Sequence, residues 1–246
     1  MIEPWLADRV RDAIETGGPA DDAAFQALAV AIAQAQGLMR LDALPDLDGI
    51  DPVPETAFKL MTVAHFAPSS AQATFRTSGT TTGSPGRRLV QDLDLYRASV
   101  VQGFERFVMQ GAGPGPFVSL IPPAEARPHS SLSHMATMVG DAFATAVTWV
   151  RRGDAVDLHG VAEALAAAVS DGLPVVLLGT TLDFLTLFEG MAAGGLRFDL
   201  PAGSRAMHTG GAKATGRAVD RDALRTAFGS LLAIPADAVI EEYGMT

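Results

Sequence analysis

From about Ala73 to its last residue the chain alternates short apolar runs with longer stretches of helical periodicity, and this alternation constrains the fold more than any other feature. Strand-like runs fall near Ala73–Thr77, Phe117–Ile121, Ala144–Val150, Pro174–Leu178, Arg205–His208 and Ala238–Glu241. Between them the spacing predicts helices over Asp92–Gln110, Ser131–Ala142, Asp154–Ser170, Leu182–Ala193 and Thr215–Phe228. In the first of these, Leu93, Tyr96, Val100, Phe104 and Phe107 share one side of a 3.6-residue period. Strands separated by helices pair in parallel, because only a crossover returns the chain to the same end of the sheet. The expected class is therefore α/β, a mostly parallel sheet flanked by helices.

Upstream, two helical patterns, Pro4 to Thr16 and Asp21 to Gln36, are separated by the breaker Gly17 to Pro19, with Asp21 a candidate N-cap. A Pro-rich connection follows over Leu44 to Thr56. The domain reading is a helical N-terminal lead-in and connection over 1–60, then an α/β nucleotide-binding domain over 61–246.

With 246 residues, 48% of them hydrophobic, the chain is long and apolar enough to bury a core. No apolar stretch is long enough for a membrane span, and charged residues stand where a signal peptide has its apolar centre, so a cytoplasmic protein is expected. The formal charge of -10 disfavours a nucleic-acid surface, which needs clustered cations. The absence of cysteine excludes disulfides, thiolate metal sites and a cysteine nucleophile within this chain.

Three segments carry chemistry. Phe75 to Arg88, F-R-T-S-G-T-T-T-G-S-P-G-R-R, concentrates hydroxyls and glycines directly after a predicted strand. Such a loop can turn backbone N–H groups and hydroxyls toward a polyphosphate. Composition alone leaves an ordinary polar surface loop open. It is not a Walker A loop, since no Gly-Lys-Ser/Thr follows at the required spacing. Met207 to Lys213, M-H-T-G-G-A-K, is a strand followed by glycines, readable equally as a strand-to-helix turn, and Val239 to Thr246, V-I-E-E-Y-G-M-T, places an aromatic residue after another strand. His134 on a predicted helix start is either a pocket residue or a satisfied structural histidine. No His/Asp/Glu spacing suggests a metal-ligand set, and no G-x-S-x-G elbow supports a hydrolase.

In this order the segments resemble motifs of the adenylate-forming superfamily. Thr77 to Pro85 resembles its phosphate-binding loop, commonly T-S-G-T-T-G-x-P-K, with an extra Thr before Gly83 and Gly86 to Arg88 where the lysine usually stands. The closing Y-G-M-T resembles Y-G-x-T-E, and both E-Y-G-M-T-E and T-G-G-x-K are forms typical of LuxE-type acyl-protein synthetases. Val53 to Lys59 and the proline-rich Ile121 to Met135 resemble the same proteins, so the likeness spans Val53 to Thr246.

The resemblance implies that Thr77, Ser78, Gly79, Thr80, Thr81, Thr82 and Gly83 cradle the ATP β- and γ-phosphates. It implies that Gly210 and Gly211 pass beside adenine and the acyl group, that Tyr243 and Gly244 lie against adenine, and that Thr246 stands near the α-phosphate as the catalytic contact. The implied function is ATP- and Mg²⁺-dependent activation of a carboxylic acid, in the family a fatty acid, as an acyl-adenylate for transfer to a thiol of an acceptor protein or CoA. The motif's Mg²⁺-holding Glu would follow Thr246, so by this resemblance the chain is an incomplete, inactive form. The competing reading is a non-catalytic nucleotide or acyl-adenylate binding module completed by a partner chain.

Overall fold

A computed structural model describes residue 62, residue 64 and residues 66–76, 86–209 and 220–242. The expected lead-in and connection over 1–60 lie outside the described residues. The described residues belong to two compact units, one drawn from Met1–Gln102 with Pro128–Ser131, the other from Gly103–Arg127 with Leu132–Met245.

In the first unit, β1 (Ala73–Arg76) pairs antiparallel with β2 (Arg87–Val90), from Ala73↔Val90 to Arg76↔Arg87. The sequence placed the Ala73 strand at the head of a parallel series. It belongs instead to a separate two-stranded sheet, and its partner was missed because R-R-L-V is half charged and too short to stand out as an apolar run. Helix α1 (Leu93–Phe104) starts where expected, because Asp92 Oδ1 accepts from the amides of Asp94 at 2.8 Å and Leu95 at 3.2 Å.

The predicted continuation of that helix to Gln110 changes winding at Glu105–Met109, a π-turn closed by Gln110 N–H donating to Glu105 O at 2.7 Å. The wider turn rotates the face the 3.6 period had assigned. Phe104 stays buried, whereas Phe107, expected on the same apolar side, is 60% exposed. Gln110 at φ 52 ends the helix, and Arg205 donates to the freed carbonyls of Val108 and, at 2.6 Å, Met109.

The second unit is built on β3 (Gly115–Ser119), β4 (Ala144–Trp149), β7 (Val176–Thr180), β8 (Arg205–Thr209) and β9 (Val239–Glu242). They form one parallel sheet in the order β4-β3-β7-β8-β9, so the expected α/β class holds. Counted along the chain this order is 2-1-3-4-5, one of the two common doubly wound arrangements. Val175 to Leu178 are all buried, as a central strand covered on both faces requires.

Helices α3 (Leu158–Asp171), α4 (Thr181–Ala193) and α5 (Arg221–Leu232) contribute Leu165, Phe184, Leu187, Phe188, Leu224 and Phe228 to one core with Leu120, Leu177 and Ala206 of the sheet region. The alternate sheet residue Phe117 meets Phe104, whose ring also lies 5.7 Å from that of Phe143. Helix α2 (Ser131–Phe143) comes close to β4 at Gly140, where an added Cβ would stand 2.8 Å from Val147 Cγ2.

One further boundary moved. The predicted Asp154 helix start is taken by a hairpin, β5 (Arg151–Arg152) with β6 (Ala155–Val156), and α3 begins only after Asp157, whose carboxylate accepts from Gly160 N–H at 3.1 Å. The bond from Arg152 and then that from Gly160 hold the Asp157 carboxyl below its ordinary pKa. For α5 the described helix begins at Arg221, capped by Asp220; residues 215–219 of the prediction lie outside the described region.

Candidate functional site

Every residue the sequence singled out for phosphate, base or catalytic contact lies outside the described residues: Thr77, Ser78, Gly79, Thr80, Thr81, Thr82, Gly83, Gly210, Gly211, Tyr243, Gly244 and Thr246. The framework that these segments leave from and return to is described, and it is informative.

In the first unit, Arg76 and Arg87 are register partners, so residues 77–86 are the connection of a β-hairpin. This arrangement has no helix immediately after the loop, because α1 begins at Leu93 after β2. An anion held there would depend on backbone amides and hydroxyls, without a following helix dipole. The root of the hairpin is pinned from its other side: Arg76 N–H donates to His129 O at 2.9 Å, and His129 Nδ1 donates to Thr74 O at 3.0 Å. Phe75 packs against Tyr96 at 5.3 Å between ring centroids, and Tyr96 Oη donates to Ser131 O at 3.1 Å.

In the second unit, the parallel sheet brings Thr209 and Glu242 into register as the last residues of neighbouring strands. The T-G-G-A-K segment therefore departs from the end of β8, and Y-G-M-T from the adjoining end of β9. These are carboxyl ends of strands, where ligands of open α/β sheets bind.

A hydrogen-bonded chain of side chains runs along that same edge. Thr180 caps α4 in a reciprocal box: its Oγ1 accepts from Asp183 N–H at 3.1 Å, while Asp183 Oδ2 accepts from Thr180 N–H at 3.1 Å and from Thr180 Oγ1 at 2.7 Å. Asp183 Oδ1 pairs with Arg151, whose guanidinium also reaches Asp154 O at 2.9 Å and Leu120 O at 3.4 Å. Next along the helix, Thr181 Oγ1 donates to Thr209 O at 2.5 Å. The hydroxyl has one proton, so His208 Nδ1, 2.9 Å from Thr181 Oγ1, must be the donor in that contact. Ser119 Oγ donates to Ile121 O at 2.8 Å and fixes the exit of β3.

Sequence reading passed over this chain of contacts. Thr180–Asp183, T-T-L-D, is a legible capping signature, but His208 was hidden inside a strand whose following glycines drew attention. The weaker candidate His134 sits half-buried in the first turn of α2.

Burial lowers the pKa of His208, opposed by Glu241 and by its bond near Thr209, and reinforced by Arg225 and Arg221. A histidine with a depressed folded pKa binds fewer protons folded than unfolded, so its contribution is whole above the unfolded value of 6.5 and is lost as pH falls below it. Urea titrations at about pH 7.5 and about pH 5.5 are expected to show a smaller acid-induced loss of stability in His208→Asn than in the parent. An equal loss in both would show that His208 is not among the groups responsible. Glu242, at the end of β9, has its pKa raised by burial.

Among the described residues no group of three or more His, Cys, Asp or Glu side chains is placed to hold a metal ion, and no helix is long and apolar enough to cross a membrane. No protein-family model matches the chain, and no curated protein matches it.

Proposed function

We propose that the chain belongs to an ATP-dependent, adenylate-forming acyl ligase, with a carboxylic acid of fatty-acid type as substrate and a thiol of CoA or an acceptor protein as final acyl acceptor. The observation that carries this reading is the register of Thr209 with Glu242. Two segments that resemble adenine- and phosphate-contacting motifs depart from adjoining carboxyl ends of one parallel sheet, and the third closes a hairpin whose root is fixed on both sides.

Electrostatics disfavour four of the described helix starts, though not that of α2, as phosphate sites. Helices α1, α3 and α5 begin on Asp92, Asp157 and Asp220, and the N-terminus of α4 is filled by Asp183 and Thr180. Those four helix starts already hold carboxylates, which repel a polyphosphate that the bare dipole would attract. The Ser/Thr/Gly segment 77–83 carries no acid.

In the proposed reaction a substrate carboxylate oxygen attacks the α-phosphorus of ATP, the bond from that phosphorus to the α,β-bridging oxygen breaks, and acyl-adenylate and pyrophosphate result. The chain's part is to place and orient the two reactants. Mg²⁺, when bound, offsets the charge of the departing pyrophosphate.

Calorimetric titration with α,β-methylene-ATP tests the binding half of this reading. Gly79→Val, or Thr80→Val with Thr81→Val, is expected to weaken binding with little change in melting temperature. Tyr243→Ala is expected to weaken it by about 1–3 kcal/mol, with Tyr243→Phe near the parent, if the ring stacks on the base. Affinity unchanged in all these variants would remove the assignment. For the reaction, release of pyrophosphate in the presence of carboxylic acids is expected, whereas release of ADP would indicate a phosphotransferase.

A further inference from the structure

The register of the β1–β2 hairpin sets two like charges directly opposite each other: Arg76 on β1 faces Arg87 on β2, and Phe75 faces Arg88. Arg76 gives its N–H to His129 O instead of to β2. Arg76↔Arg87 is therefore a non-hydrogen-bonded pair, the kind whose side chains stand closer, with Cα atoms about 4.5 Å apart. Both side chains leave the same face of the hairpin, and both residues are exposed. Phe75 packs on Tyr96 of α1, so Phe75 and Arg88 take the face toward α1 and the alternate residues Arg76 and Arg87 take the opposite one.

Like charges directly opposite destabilise a strand pair. In the second unit Arg127, Arg151, Arg152, Arg197 and Arg221 each meet a carboxylate. Among the described residues neither the Arg76 nor the Arg87 guanidinium has an ion-pair partner, although the chain carries 28 acidic residues against 18 lysines and arginines. Two guanidinium forks on one face match the oxygens of a single tetrahedral oxyanion, each able to donate a parallel pair of N–H bonds. A monoanion would offset only one of the two charges, whereas a dianion offsets both and turns their repulsion into shared attraction. The frame is set in advance, because β1 is held between its ladder with β2 and the carbonyl of His129, so binding orders two side chains and little backbone.

We propose that Arg76 and Arg87 clamp the dianionic phosphate group of a small phosphorylated ligand on the hairpin face turned away from α1. This clamp does not rest on the ligase reading: a nucleotide tail and a separate phosphorylated compound both carry such a group.

Calorimetric titration of the full chain with inorganic pyrophosphate tests it. Arg76→Gln and Arg87→Gln are each expected to raise the Kd about tenfold, corresponding to about 1.4 kcal/mol. Arg88→Gln removes the same charge one residue away on the opposite face and is expected to stay within about twofold of the parent. Arg76→Lys, which keeps the charge and loses the fork, is expected to fall between. A second titration with α,β-methylene-ATP identifies the source of the phosphate. Equal weakening there by Arg76→Gln and Arg87→Gln assigns it to a nucleotide; unchanged or absent nucleotide binding beside the pyrophosphate effect assigns it to another compound. Both results support the clamp, and absent nucleotide binding in the parent removes the ligase reading alone. Failure of the parent to bind pyrophosphate, or equal weakening in all three glutamine variants, would overturn the clamp and leave the ligase reading standing on its own titration.

Discussion

Phe228→Ala is expected to destabilise the second unit by about 3–5 kcal/mol, the range for removing a fully enclosed aromatic side chain. Phe228 has no exposed surface and is the point where three groups converge: its ring lies 4.8 Å from Phe184, 4.9 Å from Phe188 and 6.4 Å from His208. The two phenylalanine contacts are edge-on, the arrangement favoured by opposed ring quadrupoles. The cavity would open between α4, α5 and β8, so the loss cannot be repaired by a single side chain. Phe228→Leu, which refills most of the space, is expected to cost less than half as much. Chemical denaturation gives both values; a Phe228→Ala variant within about 1 kcal/mol of the parent would mean that the α4–α5 seam is not the core described here.

The second large effect is expected at Asp183. Replacing it with alanine removes the partner of Arg151 and both acceptor contacts to Thr180. The side chains of Arg151 and Asp183 are 18% and 9% exposed, so the guanidinium left behind is largely shielded from water. Breaking such a pair from one side costs about 3–5 kcal/mol, and the residual exposure of Arg151 places the expectation near about 3 kcal/mol. Asp183→Asn separates the contributions, because its one side-chain oxygen can still accept from Thr180 while the charge that pairs with Arg151 is gone. If Asn and Ala were equally destabilising, the loss would belong to the ion pair; if Asn were neutral and Ala cost only about 1 kcal/mol, it would belong to the cap and the ion-pair expectation would fail.

The parallel sheet was legible because its strands are short, apolar and spaced by helices, which leaves few ways to pair them. The strand order was not legible: nothing in the residues themselves puts β4 outside β3. The hairpin of β1 and β2 escaped because pairing partners are identified by register, and Arg87–Val90 offers no apolar alternation to read. The misplaced Phe107 has a comparable cause, since a sequence period is drawn with constant winding and the turn at Glu105–Met109 does not keep it. At the candidate site, glycines and hydroxyls announced themselves by composition. Thr181, His208, Arg151 and Asp183 did not, because their significance lies in contacts across 27 to 32 positions of chain.

The antiparallel union of Arg76 with Arg87 also bears on how the phosphate-loop candidate can vary in length. Closing a flexible loop between fixed ends costs entropy that grows only logarithmically, so one added residue in a segment of this size costs about 0.1 kcal/mol. A change of one residue in the length of 77–86 is therefore expected to leave the register of β1 with β2 unchanged. The junction of β7 with α4 is the opposite case. Thr180 ends the strand and Thr181 begins the helix, so a single inserted residue would turn α4 by about 100° and carry Phe184 and Phe188 off the sheet. Length can thus drift between β1 and β2 but not between β7 and α4.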